Sequence, residues 1–271
     1  MVGVRVANGK ALMVLVAAVL VMCAGGLLPA AEASGRKEVN LVPAVYVFGD
    51  STVDVGNNQY LPGNGPLQLP YGIDFPHSRA TGRFSNGYNV ADSISRLLGF
   101  KRSPPAYLSL TPRTSRQIYK GFRGVNYASG GSGILDTTSP SGETSCVAAA
   151  NALAEGFNDA LGKTMAKLAS ALPGMRYSVG SSYNLVTFFT AHPEATGFRD
   201  VASACCGGGR LGVQTGCVPN ATYCGNRNDH LFWDGVHGTQ ATSNKGAKAI
   251  FAAPVKLGFA APINFKQLIS S

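Results

Sequence analysis

Hydrophobic and polar positions divide the chain into short apolar runs, helical stripes and long polar stretches. From Val45 to Phe48 an alternation-free run of β-branched and aromatic residues stops abruptly at Gly49-Asp50-Ser51. That is the pattern of a buried parallel strand delivering a small polar residue to a sheet edge. Gly56 to Asn86 is rich in Gly, Pro and Asn and predicts a loop long enough to line a site and shape its pocket. Val90, Ile94, Leu97 and Leu98 recur at helical spacing in a segment that begins at Asn86 and stops at Gly99. Gly124 to Ala128 reads as a second short strand, running into the glycine-rich turn Ser129–Gly133. Val147 to Leu172 has helical spacing and ends at Pro173-Gly174. Arg176 to Leu185 reads as a third strand, followed by a short helix and a Cys-rich loop. Thr239 to Leu257 predicts a closing helix that Pro254 bends or ends. Strands alternating with helices predict an α/β domain with a parallel sheet. Three strands are few, since five or six are usual in open doubly wound sheets.

The first 33 residues stand apart. Arg5 and Lys10 precede an apolar run from Ala11 to Leu28, and Pro29 and Ala31-Glu32-Ala33 then lead into Ser34. This reads as a secretory signal cleaved after Ala33; an uncleaved membrane anchor is the alternative, weakened by Gly25, Gly26 and Pro29. The domain is therefore expected over 34–271. The whole chain carries 23 Lys and Arg against 14 Asp and Glu. Removing Arg5, Lys10 and Glu32 leaves 21 against 13, a net +8. The positives are scattered and no nucleic-acid module surrounds them, so a solvated basic surface is expected, with attraction to an acidic wall polysaccharide the weaker reading.

Export makes disulfides possible. Beyond Cys23 the chain has Cys146, Cys205, Cys206, Cys217 and Cys224. The last four allow two bridges of undetermined connectivity, which leaves Cys146 without a partner. Asn220-Ala221-Thr222 is a glycosylation sequon in the same loop. Zinc-ligand spacing is absent, so neither a metal nor a cofactor is expected.

Three features carry chemistry. Ser51, at a strand's carboxyl end, sits where open α/β sheets build their sites, although such a serine is more often a cap or turn residue. Asp234-Gly235-Val236-His237 places a carboxylate three residues before an imidazole, so the acid can hold the tautomer while the far nitrogen faces a nucleophile. The Ser129–Gly133 turn can aim backbone N–H groups at a developing oxyanion. His77, His192 and His230 are expected at the surface without such a partner.

In that order these features resemble the GDSL-type lipase/esterases of plants, a branch of the SGNH hydrolases. Phe48-Gly49-Asp50-Ser51 with Asp54, Gly56, Asn57 and Asn58 is similar to the family's first block. Tyr71–Pro76 and Thr81–Gly87 resemble the loop that follows. Asn126–Gly133 resembles the second block and Ala204–Gly207 the Cys-rich loop, and Asp234 and His237 fall in the last block. The resemblance implies a flavodoxin-like three-layer fold and a secreted, apoplastic enzyme that cleaves acyl esters of lipids, small molecules or polysaccharides. It implies Ser51 as nucleophile and as an oxyanion donor through its own N–H, His237 as general base and Asp234 as its orienter. Gly131 or Gly130 would give the second oxyanion donor. Gly238 departs from the proline usual after the histidine.

The family's third block, a strand followed by Gly-x-Asn-Asp whose asparagine completes the oxyanion hole, has no true counterpart. Gly156-Phe157-Asn158-Asp159 lies within a helical stripe formed by Leu153, Phe157, Leu161, Met165 and Leu168 and is not preceded by a strand. The resemblance therefore implies an internal segment absent between about 138 and 146, carrying two central strands and a partner for Cys146. In a 2-1-3-4-5 strand order that loss opens a gap of roughly 10 Å. It predicts that Ser51 and His237 stay apart unless the last strand docks directly on the first. A catalytically impaired or mis-annotated family product is thus the alternative to an active esterase, and a carbohydrate-binding domain a third reading.

Overall fold

The computed structural model describes residues 11–16, 19–24, 40–116, 118, 123–132 and 148–271. Cys146, residues 133–147 and the expected cleavage site after Ala33 lie outside them. The main sheet has six strands, β1 (Ala11–Val16), β2 (Val19–Ala24), β3 (Val45–Phe48), β4 (Gly124–Asn126), β5 (Arg176–Gly180) and β8 (Ala260–Ala261), in the order β4-β3-β2-β1-β5-β8. A second, two-stranded sheet pairs β6 (Asp200–Ala204) with β7 (His230–Phe232) in parallel. The helices are α1 (Val90–Leu97), α2 (Ala148–Ala171), α3 (Ser182–Ala191), α4 (Pro193–Thr196), α5 (Gln240–Ala252) and α6 (Phe265–Ile269).

The fold is α/β, as expected, but the sheet is mixed. β3 runs parallel to β4 and β1 parallel to β5, while β1–β2, β2–β3 and β5–β8 are antiparallel. Between β3 and β5, where the family pattern calls for central strands, lie the antiparallel strands β1 and β2 from the apolar N-terminal run. An apolar run of that length has no strong preference between a signal helix and buried strands, and the unpaired edges of β3 and β5 favour pairing. Removal of residues 1–33 leaves both edges open, so chain 34–271 is expected to unfold at lower denaturant than chain 1–271. Equal midpoints would show that the β1–β2 pair contributes nothing to stability.

Local chemistry explains where elements begin and end. Helix α1 starts at Asn89 rather than Asn86: the Asn89 side chain accepts from Asp92 N and the Asp92 carboxylate accepts from Asn89 N, a reciprocal capping box. Asn86 instead bonds away from the helix, to Asp74 and Gln240. The expected third strand ends at Gly180, five residues early, because Ser181 caps α3 by accepting from Asn184 N. Leu185 and Phe189 then fall one helical turn apart on the buried side. Helix α5 is capped by Thr239 and closes at Ala252, before Pro254.

On one face of the sheet Val45 and Val47 are buried together with Ile94 and Leu98 of the α1 region and with Ala247, Ile250 and Phe251 of α5. Helices α1 and α5 pack directly against each other. On α2 the apolar stripe makes the expected helix but remains largely uncovered: Met165 is buried, whereas Leu153 is 76% exposed. Gly156, Asn158 and Asp159 lie within this helix rather than on a loop that follows a strand. No helix among the described residues is long and apolar enough to cross a membrane.

Candidate functional site

Strand β3 delivers its chain to a tight turn. Val53 N and Asp54 N both donate to Asp50 O, and the Asp50 carboxylate accepts from Thr52 N at 2.9 Å. Ser51 is left half-buried at the tip, with its own N–H making no hydrogen bond among the described residues. The β3–β4 ladder continues past the strands through Tyr127 N to Val47 O (2.7 Å) and Ser129 N to Gly49 O (3.0 Å). This sets the Ser129–Gly131 turn beside the Ser51 corner.

Buried Asp54 organises both loops. Its carboxylate accepts from Gly56 N, Asn57 N, Asn58 N and Gly130 N at 2.7–3.1 Å. Burial pushes its pKa up, against the pull of those four donors. The Gly130 N–H is thereby engaged, which removes it as an oxyanion donor; Gly131 N–H makes no hydrogen bond among the described residues. Asn57 adds a clamp, donating to Asn126 O and Ala128 O, both at 2.8 Å. Gly56 and Gly82 meet backbone to backbone, and a Cβ on Gly82 would stand 2.5 Å from Gly56 Cα. That approach fixes the segment that carries Phe84, whose ring lies against Gly130.

The other half comes from β7 and the turn after it. Trp233 N donates to His237 O at 2.7 Å, and Thr239 N to Leu231 O at 3.1 Å, closing a narrow loop over Asp234–Gly238. Within it His237 Nδ1 lies 2.8 Å from Asp234 Oδ2, and His237 Nε2 lies 2.8 Å from Ser51 Oγ. Burial pushes the Asp234 pKa up, but the His237 imidazole, the Tyr71 hydroxyl and the His237 N–H outweigh it and hold the carboxyl below its usual range. An ionised carboxylate only accepts hydrogen bonds, so Nδ1 carries the proton and Nε2 is free to accept from the Ser51 hydroxyl. Such a chain can take a proton from the serine as it attacks and return it to a leaving group.

The separation of Ser51 from His237 expected from the strand shortage is not found. β7 does not belong to the main sheet, so sheet width does not set the distance. Ser85 Oγ donates to Gly238 O, Gln240 N to Asn86 Oδ1, Tyr88 N to Gln240 Oε1 and Ser93 Oγ to Asn244 Oδ1. With the α1–α5 packing, these bonds tie the His237 turn to the loop that follows Ser51. Asp74 adds a bidentate pair to Arg227, at 2.5 and 2.8 Å.

Sequence reasoning missed two flanking groups. Phe84 stacks on His237 at 5.1 Å between ring centroids, and Tyr71 donates its hydroxyl to Asp234 Oδ2 at 2.7 Å. A sequence separation of 163 residues gives no local signal for the second. His77 and His192 are exposed as expected. His230 is not without a partner: it lies in β7, with Nδ1 2.9 Å from Asp229 Oδ1.

The four late cysteines form Cys205–Cys224 and Cys206–Cys217, which fixes the connectivity. Cys205 N and Cys206 N donate to Phe232 O and Trp233 O, so the bridged loop braces the strand that leads to Asp234. Asn220 is exposed in that loop. Among the described residues no group of His, Cys, Asp or Glu is arranged to hold a metal.

Known proteins share sequence with this chain. The family described as GDSL-like Lipase/Acylhydrolase matches residues 45–141. A GDSL esterase/lipase of Arabidopsis thaliana is 27% identical over 356 aligned positions, covering 90% of this chain and 94% of the relative. GDSL esterase/lipase 6 of the same plant is 27% identical over 320 positions, covering 79% and 88%. The anther-specific proline-rich protein of Brassica napus is 45% identical over 103 residues, covering 37% of this chain and 23% of that protein. Because 356 positions exceed the 271 residues of this chain, the first relative carries internal sequence without a counterpart here. Both the blocks that build the Ser51 corner and the breadth of these matches point the same way: the chain is similar to the plant GDSL-type esterase/lipases.

Proposed function

We propose that this chain is a secreted serine ester hydrolase working through Ser51, His237 and Asp234. The observation that carries the reading is the continuous relay of Ser51 Oγ, the His237 imidazole and the Asp234 carboxylate, with both links at 2.8 Å. Ser51 Oγ attacks the ester carbonyl carbon while its proton passes to His237 Nε2. The tetrahedral oxyanion is received by the N–H groups of Ser51 and Gly131. Collapse breaks the bond to the alcohol, which leaves with the proton from Nε2. Water, deprotonated by the same nitrogen, then cleaves the Ser51 acyl ester.

Residues 1–33 as an export signal, disulfides in the Cys-rich loop and the Asn220 sequon fit an extracellular, glycosylated protein. The likeness to GDSL esterase/lipases supports acyl esters of lipids, small molecules or wall polysaccharides as substrates. A weakly active or inactive member is the second reading. It is favoured by the internal sequence that the aligned relative has and this chain lacks, since loss of one oxyanion donor costs roughly 10²–10³ in rate. A fluorophosphonate probe decides between them. The active reading expects stoichiometric labelling of Ser51, abolished in His237→Ala; folded protein that resists the probe supports the second.

A further inference from the structure

We infer that Tyr71 is a positioning residue that sets the pH range in which Asp234 and His237 work, by donating its hydroxyl to the carboxylate oxygen that also receives the imidazole. This rests on the reading of Ser51, His237 and Asp234 as the ester-cleaving group.

Tyr71 is fixed from several sides. Its N–H donates to Gln68 O, and the next residues are pinned by Gly72 N to Ser85 O (2.9 Å) and Asp74 N to Asn86 O (2.7 Å). The ring meets Phe84 and Trp233 edge to face, with centroids at 6.4 and 6.3 Å. So held, the hydroxyl has one partner among the described residues, Asp234 Oδ2 at 2.7 Å, 2.8 Å from which lies His237 Nδ1. Oδ1 is occupied by Val236 N and His237 N. The carboxylate therefore cannot rotate without losing bonds on both oxygens. Among the described residues the titratable groups facing Asp234 are His237, from its own turn, and Tyr71, from the opposite loop; Phe84 and Trp233 around them are uncharged. Burial and the neighbouring carboxylate both raise the Tyr71 pKa, so the phenol stays protonated and remains a donor.

Two effects follow. The hydroxyl restrains Oδ2 in line with Nδ1, and it draws off part of the carboxylate charge that would otherwise stabilise the imidazolium. Loss of the hydroxyl leaves the Asp234 carboxylate with its full charge against the imidazole. A ring that merely packs against Phe84 and Trp233 would do neither.

The test uses the full chain and the pH dependence of Ser51 phosphonylation by a fluorophosphonate. Tyr71→Phe is expected to shift the acid limb upward by about half to one pH unit and to lower the plateau rate about 3–10-fold. In an Asp234→Asn background the same substitution is expected to change neither. An unshifted limb, or an equal loss in the Asp234→Asn background, overturns the role of Tyr71. If Tyr71→Phe loses cooperative unfolding, the chain carrying 3-fluorotyrosine in place of tyrosine gives the answer. Its more acidic phenol donates more strongly, so the acid limb moves down, and a limb that stays put or rises overturns the inference. Folded parent protein that is not labelled at all overturns instead the reading of the site on which the inference rests.

Discussion

His237→Ala is expected to lower kcat/KM for a simple acyl ester by about 10⁴-fold or more, and Ser51→Ala to lower it about equally. The double variant should be scarcely worse than either single one, because hydroxyl and imidazole act as a unit in one proton transfer. The measurement is steady-state hydrolysis of a chromogenic acetate ester by the two single variants and the double one. Additive losses would mean that the 2.8 Å contact between Ser51 Oγ and His237 Nε2 is not the working one. Asp234→Asn should fall nearly as far, since an amide at this position stabilises the wrong tautomer. Acid weakens the site and the fold together. The Asp234 pKa is depressed in the folded chain, so the ionised carboxylate stabilises the fold at pH values above the unfolded carboxylate value of about 4. That contribution disappears as pH falls through the depressed value.

Arg83→Ala is expected to destabilise the protein by about 3–5 kcal/mol. Arg83 Nε and Nη2 hold Asp92 at 2.6 and 2.8 Å, with side-chain exposures of 6% and 0%. Asp92 also receives Asn89 N and Ser103 N, so it caps α1 and anchors the segment leading to β4. Removal of the guanidinium leaves a buried carboxylate with backbone donors alone, and the cost is mainly that of the uncompensated charge. Arg83→Lys should lie between, because an ammonium cannot reproduce the bidentate fork. Phe84 is the next residue in the chain and covers His237, so activity should fall even in the folded fraction. Urea unfolding followed by tryptophan fluorescence checks the first claim; a loss below about 0.5 kcal/mol would place the pair among surface ion pairs of little energetic weight.

Much of the chain was legible because its signals are local. The apolar run ending at Gly49-Asp50-Ser51 marks β3 and its corner, and the helical spacing of Val90, Ile94 and Leu97 marks α1. Its first residue was misplaced because two asparagines compete for the cap, and only Asn89 has Asp92 three residues on. Val179 and Leu185 suit strand and helix alike, and it is Ser181, by capping α3, that ends the strand before Leu185. The cysteines were visible, but their pairing was not, since connectivity depends on how a loop folds rather than on spacing.

By itself, then, the sequence determined the chemistry on offer: a serine at a strand end, an acid and a base one turn apart, and glycines that free backbone donors. Each depends on neighbours within a few residues. The tertiary structure decided whether these groups meet. Closure of Ser51 on His237 depends on bonds between residues more than 150 positions apart, such as Ser85 with Gly238 and Asn86 with Gln240. It also depends on β7 standing outside the main sheet, where the shortage of central strands sets no distance. The same long-range packing brings Tyr71 to Asp234 and engages the Gly130 N–H with Asp54. A single sequence carries no periodicity or motif for contacts of that span, because their geometry is fixed only when the whole core packs.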